Sequence, residues 1–99
     1  MTVHRILADP LCRRAVRCLR VIDGPVTFDE LVTRLRDGES VDRDDVALRL
    51  YHNHLPKLEE GGAIEFDRGT DRIRLTSRGV AVARVDRLTR EFLESRNDG

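Results

Sequence analysis

The side chains able to do chemistry are few: three histidines (His4, His52, His54), two cysteines (Cys12, Cys18) and Lys57, the sole lysine. Nucleophilic catalysis needs a hydroxyl, thiol or amine beside a base. No serine, cysteine or lysine stands at a recognisable spacing from one, and no glycine-rich phosphate loop is present. His52 and His54 lie two apart on a helical stretch, about 200° around its axis, and cannot chelate one metal. His54 reads as a core-edge residue. Cys12 and Cys18 are six apart on one helix, roughly 9 Å, beyond the roughly 7 Å that a disulfide tolerates. Two thiols are also too few for a structural zinc site without histidine help, so both read as small core or semi-buried residues. The chain is therefore expected to be no enzyme, with no catalytic residue, no metal and no cofactor.

Recognition chemistry remains. Arg49, His52 and Asn53 fall on one side of a helical segment, followed by Lys57. Arg and Asn are the side chains that pair bidentately with guanine and adenine edges, each good pair being worth about 1–3 kcal/mol of discrimination. Arg68 and Arg72, with Arg74 further from the tip, sit on a hairpin where they can reach phosphates or the minor groove. Arg13, Arg14 and Arg17 offer backbone contacts, or intramolecular pairing with the acidic 37–45 segment. Eighteen basic and eighteen acidic residues cancel, but unevenly. Residues 1–20 carry five Arg against one Asp, and residues 21–45 carry three Arg against eight acids. Asp42, Asp44 and Asp45 place negative charge at the start of the helical segment that carries Arg49, His52 and Asn53. Capping explains them locally, and molar salt would screen their repulsion of phosphates to about 3 Å.

These residues need elements to position them. Asp9-Pro10 starts a helix, Asp supplying an N-cap oxygen and Pro having no N–H to waste. Leu11, Ala15, Leu19 and Ile22 form its apolar stripe, and Asp23-Gly24-Pro25 ends it. Thr27-Phe28-Asp29-Glu30 is a capping box, with Val26 and Leu31 at staple positions. The second helix carries Leu31 and Leu35 inward and stops at Asp37-Gly38. A third starts at Asp42, with Val41 and Val46 as its staple and Ala47, Tyr51, Leu55 and Leu58 as its inner stripe, until Gly61-Gly62. Pro56 inside it must cost one backbone bond with some kink. The period then changes to two: Ile64 and Phe66, then Ile73 and Leu75, form one face of a hairpin. Arg68-Gly69-Thr70 reads as its turn, with Gly69 supplying positive φ. A last helix runs from near Thr76 to about Ser95, with Ala81, Val85, Leu88 and Phe92 at heptad spacing.

At 99 residues the chain is long enough for one domain and too short for two with ordinary cores. Aromatics make up 4% and charged residues 36%, so the core must be aliphatic and small. No apolar run approaches the roughly 20 residues of a membrane span, and the N-terminus has no signal-peptide hydrophobic region. A cytoplasmic setting with no membrane is expected. A net charge of zero means that no global field advertises a polyanionic partner.

The element order is α-α-α-β-β-α, with Val26-Thr27 able to add a short strand. It describes a mainly α fold with a β-hairpin wing (α+β), a winged helix-turn-helix with a long C-terminal helix. Residues 5–76 would form the winged-helix domain and 77–95 the C-terminal helix, a dimerisation element. Leu7-Ala8-Asp9-Pro10-Leu11-Cys12-Arg13-Arg14-Ala15-Val16 resembles the opening of ArsR-type transcriptional regulators. His54-Leu55-Pro56-Lys57-Leu58-Glu59-Glu60-Gly61-Gly62-Ala63-Ile64 resembles the end of their recognition helix, and Leu75-Thr76-Ser77-Arg78-Gly79 is similar to the wing-to-helix junction of many winged-helix regulators. The Tyr-His-Asn-His-Leu-Pro-Lys-Leu form, with lysine otherwise missing, looks most like a small haloarchaeal winged-helix family. The Cys-x-Cys of metal-sensing ArsR members does not occur on the recognition helix. The resemblance implies sequence-specific binding of double-stranded DNA as a small archaeal transcriptional regulator. The recognition helix (42–60) would lie in the major groove, and the wing (64–75) on the backbone or minor groove. The expected DNA-binding residues are Arg49, His52, Asn53, Lys57, Arg68 and Arg72. A homodimer through Ala81, Val85, Leu88 and Phe92 is expected, and no small-molecule effector is evident. The alternative is a winged helix used for protein–protein interaction without DNA binding.

Overall fold

A computed structural model of the chain describes residues 2–36 and 42–97. Its elements are α1 (Thr2–Ala8), α2 (Pro10–Ile22), β1 (Val26–Thr27), α3 (Phe28–Arg36), α4 (Arg43–Arg49), a π-helical turn (Leu50–His54), α5 (Leu55–Glu60), β2 (Ile64–Asp67), β3 (Arg72–Leu75) and α6 (Ser77–Asn97). The molecule is mainly helical, with a small antiparallel sheet in the order β1-β3-β2. The described residues contain no helix long and apolar enough to cross a membrane.

Helix starts follow the side chains read from the sequence. Asp9 caps α2, its Oδ1 accepting from the backbone N–H of Leu11 at 3.0 Å and of Cys12 at 3.2 Å. The Glu30 N–H donates to Thr27 Oγ1 at 3.1 Å. The Glu30 carboxylate reaches the Thr27 hydroxyl, also at 3.1 Å, rather than the Thr27 backbone N–H. Asp42 caps α4 through Asp44 N–H at 3.0 Å. Thr76 caps α6, accepting from Gly79 N–H at 3.0 Å while its hydroxyl donates to the Gly62 carbonyl at 2.6 Å. The Asp37-Gly38 stop and the Val41 staple position lie outside the described residues.

Four expectations need correction. The chain before Asp9 forms a helix of its own, α1, which buries Ile6 completely. Leu7-Ala8 therefore ends a helix instead of only introducing one. The hairpin turn spans 68–71, with Asp67 opposite Arg72, and the residue at positive φ is Asp71 (φ 62°), not Gly69. The Asp67 carboxylate accepts from Gly69 and Thr70 N–H groups, which builds the turn from its first residue, and Asp tolerates the left-handed region nearly as Asn does. Along α2 the buried set is Cys12, Ala15, Val16 and Leu19, with Leu11 and Ile22 only half-buried.

The fourth concerns the long third helix. Its inner residues are Val46, Leu50, Leu55 and Leu58, all buried, while Tyr51 is 42% exposed. The π turn causes the difference. Leu55 N–H donates to the Leu50 carbonyl, five residues back, so one extra residue is accommodated and the inward stripe steps from 46 to 50 to 55. Pro56 supplies the reason. In an α-helix its ring collides with the carbonyl four residues earlier, here that of His52. A wider turn moves that carbonyl away, and Pro56 then sits in the first turn of α5, where a missing N–H matters little.

The core gathers Leu19 of α2, Leu31, Val32 and Leu35 of α3, Leu50, Leu55 and Leu58, and the sheet residues Val26, Ile64, Phe66 and Ile73. Helix α6 adds Val82 and Ala83. Gly79 lets α6 approach the sheet: a Cβ there would lie 2.1 Å from the Ala63 carbonyl oxygen.

Candidate nucleic-acid interface

The segment Arg43–Glu60 reaches the surface with one side chain row. Arg49, His52 and Asn53 are exposed, and one turn earlier so are Asp44 and Asp45. His52 packs its ring edgewise on Tyr51 at 5.3 Å. Among the described residues, neither Arg49 nor Asn53 has a side-chain hydrogen bond or ion pair. This row is fixed from behind. Arg43 reaches back to α3, donating to Thr33 Oγ1 at 2.8 Å and pairing with Asp29 at 3.2 Å. Phe28, Tyr51 and Phe66 form an aromatic cluster with centroids 5.9–6.4 Å apart.

The hairpin is clamped to the same helix. Arg68 forks onto Glu59 of α5, with Nη1–Oε2 3.1 Å and Nη2–Oε1 2.7 Å, and its guanidinium lies 4.6 Å from the Phe66 ring centroid. Arg68 is thus half engaged within the fold. Arg74 pairs with Glu65 across the strands. Arg72 is exposed and, among the described residues, has no side-chain partner.

Lys57 lies elsewhere. Its Nζ donates to Asp9 Oδ2 at 2.8 Å, and the same oxygen stands 2.7 Å from His54 Nδ1. Cys12 Sγ completes the group, 3.7 Å from His54 Nδ1. This cluster ties the start of α2 to the end of the π turn, so His54 is the core-edge residue expected of it. Burial works against the Asp9 charge, but Lys57, the Cys12 backbone N–H and His54 outweigh it and hold the carboxyl down at about 2. Burial, with the Asp9 charge beside it, pushes the Cys12 thiol up to about 12. Burial also raises the Cys18 thiol; both cysteines are free. Asp9, Cys12 and His54 offer metal-ligand atoms within 4.8 Å of one another, yet the Lys57 ammonium already stands where a cation would bind Asp9. Nothing in the sequence brought position 9 together with 54 and 57, because they meet only through tertiary packing.

The three arginines of α2 expected at the DNA backbone or in internal pairing, Arg13, Arg14 and Arg17, make contacts within the fold. Arg13 donates to the Leu7 carbonyl at 2.5 Å, and Arg14 to the Leu35 carbonyl. Arg17 Nε stands 2.8 Å from Asp86 of α6. On α6 the expected seam does not cover the chain's own core: Ala81, Val85, Leu88 and Phe92 are all exposed, Phe92 by 62%.

A family model matches residues 4–74, from α1 into β3. The chain belongs to the DUF7344 family, a domain of unknown function. The DUF7344 match takes in all six residues expected at DNA and leaves α6 outside it. No curated protein and no solved structure matches the chain.

Proposed function

We propose that this DUF7344 chain is a winged helix that binds double-stranded DNA in a sequence-specific manner, as a small transcriptional regulator. Segments α3 and α4 form the helix-turn-helix, the rod from Arg43 to Glu60 is the reading helix, and the β2–β3 hairpin is the wing. The observation that carries this reading is the pair Arg49 and Asn53, exposed on one rigidly held helix face with no partner among the described residues. Both are base-pairing side chains, and Arg72 on the wing, with no partner among the described residues, suits a phosphate. Lys57 drops out of the contact set because Asp9 holds it, and Arg68 contributes only if it leaves Glu59. A homodimer through the exposed seam of α6 would present two reading helices about 34 Å apart to a pseudo-palindrome.

A protein-interaction role is the second reading. It is favoured by Asp44 and Asp45, exposed beside Arg49, and by the pairing of Lys57 with Asp9 and of Arg68 with Glu59. Selection of sheared source-genome DNA by the purified chain, at two salt concentrations, separates the two. Enrichment of a few sites with a two-fold-symmetric motif, lost in Arg49→Ala with Asn53→Ala, is the expected result. No retention at low salt by folded protein would give the second reading.

A further inference from the structure

A groove of about 800 Å³ runs between α2 and α6, on no element of the reading helix or wing. Its floor is apolar: Ala83 is buried, and Val80 and Val21 are exposed, Val21 by 80%. Its walls are five arginines, Arg17 and Arg20 from α2 and Arg84, Arg87 and Arg90 from α6, with no carboxylate among the lining residues. Between the two helices lies Asp86, only 3% exposed, which Arg17 and Arg90 approach at 2.8 and 3.1 Å and Arg13 at 3.9 Å.

The charges do not balance locally. Two guanidiniums alone carry about ten N–H donors against roughly four acceptor positions on a carboxylate, so Asp86 cannot satisfy the pair that clamps it. Arg20 and Arg84 have no partner among the described residues, and Arg87 meets Glu91 only at 3.8 Å along the exposed helix surface. In a chain of zero net charge, this concentrates uncompensated cations over an apolar floor. Planar guanidinium forks match carboxylate and phosphate oxygens, and the volume lies in the range of small-molecule sites.

We infer that the α2–α6 groove binds a small organic anion, a phosphate or carboxylate head on an apolar body. The head sits among Arg20, Arg84 and Arg87, and the body lies on Val21 and Val80. This site does not depend on the DNA-binding reading, since its residues are not those of that interface. It would give the protein an effector, bound against the helix that carries the exposed seam.

Hexyl phosphate titrated into the full chain, by calorimetry at fixed ionic strength, tests it. The expected result is saturable binding of one ligand per chain, about tenfold tighter than inorganic phosphate because the alkyl chain leaves water. Arg84→Gln with Arg87→Gln should abolish it. Val21→Asp, a change at a side chain that supports no core, should weaken it at least as much as losing the alkyl chain does. DNA selection by both variants should be unchanged. Absence of saturable binding, equal affinity for inorganic phosphate, or full binding by the arginine variant would overturn the inference. So would sedimentation showing a ligand-free dimer that the arginine variant dissolves, since the groove would then belong to a second copy.

Discussion

At Asp9 one carboxylate serves three purposes: it caps α2, receives Lys57 and receives His54. Its pKa falls from 3.8 to about 2 on folding. A depressed carboxyl contributes stability above its unfolded value, and that contribution is lost as pH falls through the folded one. Chemical denaturation between pH 5 and 2 should therefore show a loss of about 2 kcal/mol below pH 4. Asp9→Asn, which keeps a capping oxygen, should remove that part of the profile. At Gly79 two effects oppose one another. Helix propensity says that Ala is better than Gly by about 1 kcal/mol. The added Cβ would lie 2.1 Å from a backbone oxygen and 2.6 Å from Leu75 Cδ1, so overpacking wins. Gly79→Ala should destabilise by about 2 kcal/mol, read from the urea midpoint.

Among the elements, the rod from Arg43 to Glu60 is shaped by one proline. The π turn exists to pass Pro56 while keeping Leu50 and Leu55 both inward. Removing His52 alone would return the rod to α-helical spacing but drive the proline ring into a carbonyl, costing about 3 kcal/mol. Removing His52 together with Pro56→Ala should restore nearly full thermal stability, because a regular helix then buries the same leucines. If both variants melt alike, the proline is not the cause of the turn. Helix α6 makes a second element-scale prediction. Leu88 and Phe92 are 50% and 62% exposed, so glutamate at both positions should leave the monomer folded. Sedimentation of the native chain should show a dimer, and of Leu88→Glu with Phe92→Glu a monomer. A native chain that is already monomeric sinks the proposed dimer.

At the scale of the whole molecule, zero net charge hides separate surfaces. Arginines 17, 20, 84, 87 and 90 line one groove, while Arg49 and Arg72 stand exposed on the rod from Arg43 to Glu60 and on the hairpin. On the DNA-binding reading proposed above, zero net charge leaves affinity to a few local contacts, so its salt dependence should be shallow. Arg72→Gln should weaken binding evenly across sequences and lower the slope of log K against log salt by about one. Asn53→Ala should instead relax preference at one base position. A slope unchanged by Arg72→Gln would remove that side chain from the backbone contacts.

Most elements were legible in the residues because their signals are local. Caps at Asp9, Thr27 and Asp42 act within three residues, and alternation at 64–66 and 73–75 needs only a shared face. The β1 pairing was legible as a possibility, from Val26-Thr27 alone. Tyr51 was misread because a 3.6-residue period carried through Pro56 takes no account of a π turn, whose extra residue rotates everything before it. The short α1 was missed because seven residues carry little periodic signal, and its burial of Ile6 depends on neighbours from α2 and α5. Of the candidate site, the sequence by itself determined which residue types stand at 49, 52, 53, 68 and 72. Only the tertiary structure decided that Arg49, Asn53 and Arg72 have no side-chain partner among the described residues, while Asp9 claims Lys57 and Glu59 claims Arg68. It alone also put five arginines from α2 and α6 around one groove. Spacing along a chain sets which face a side chain takes, but a partner on another element is chosen by packing.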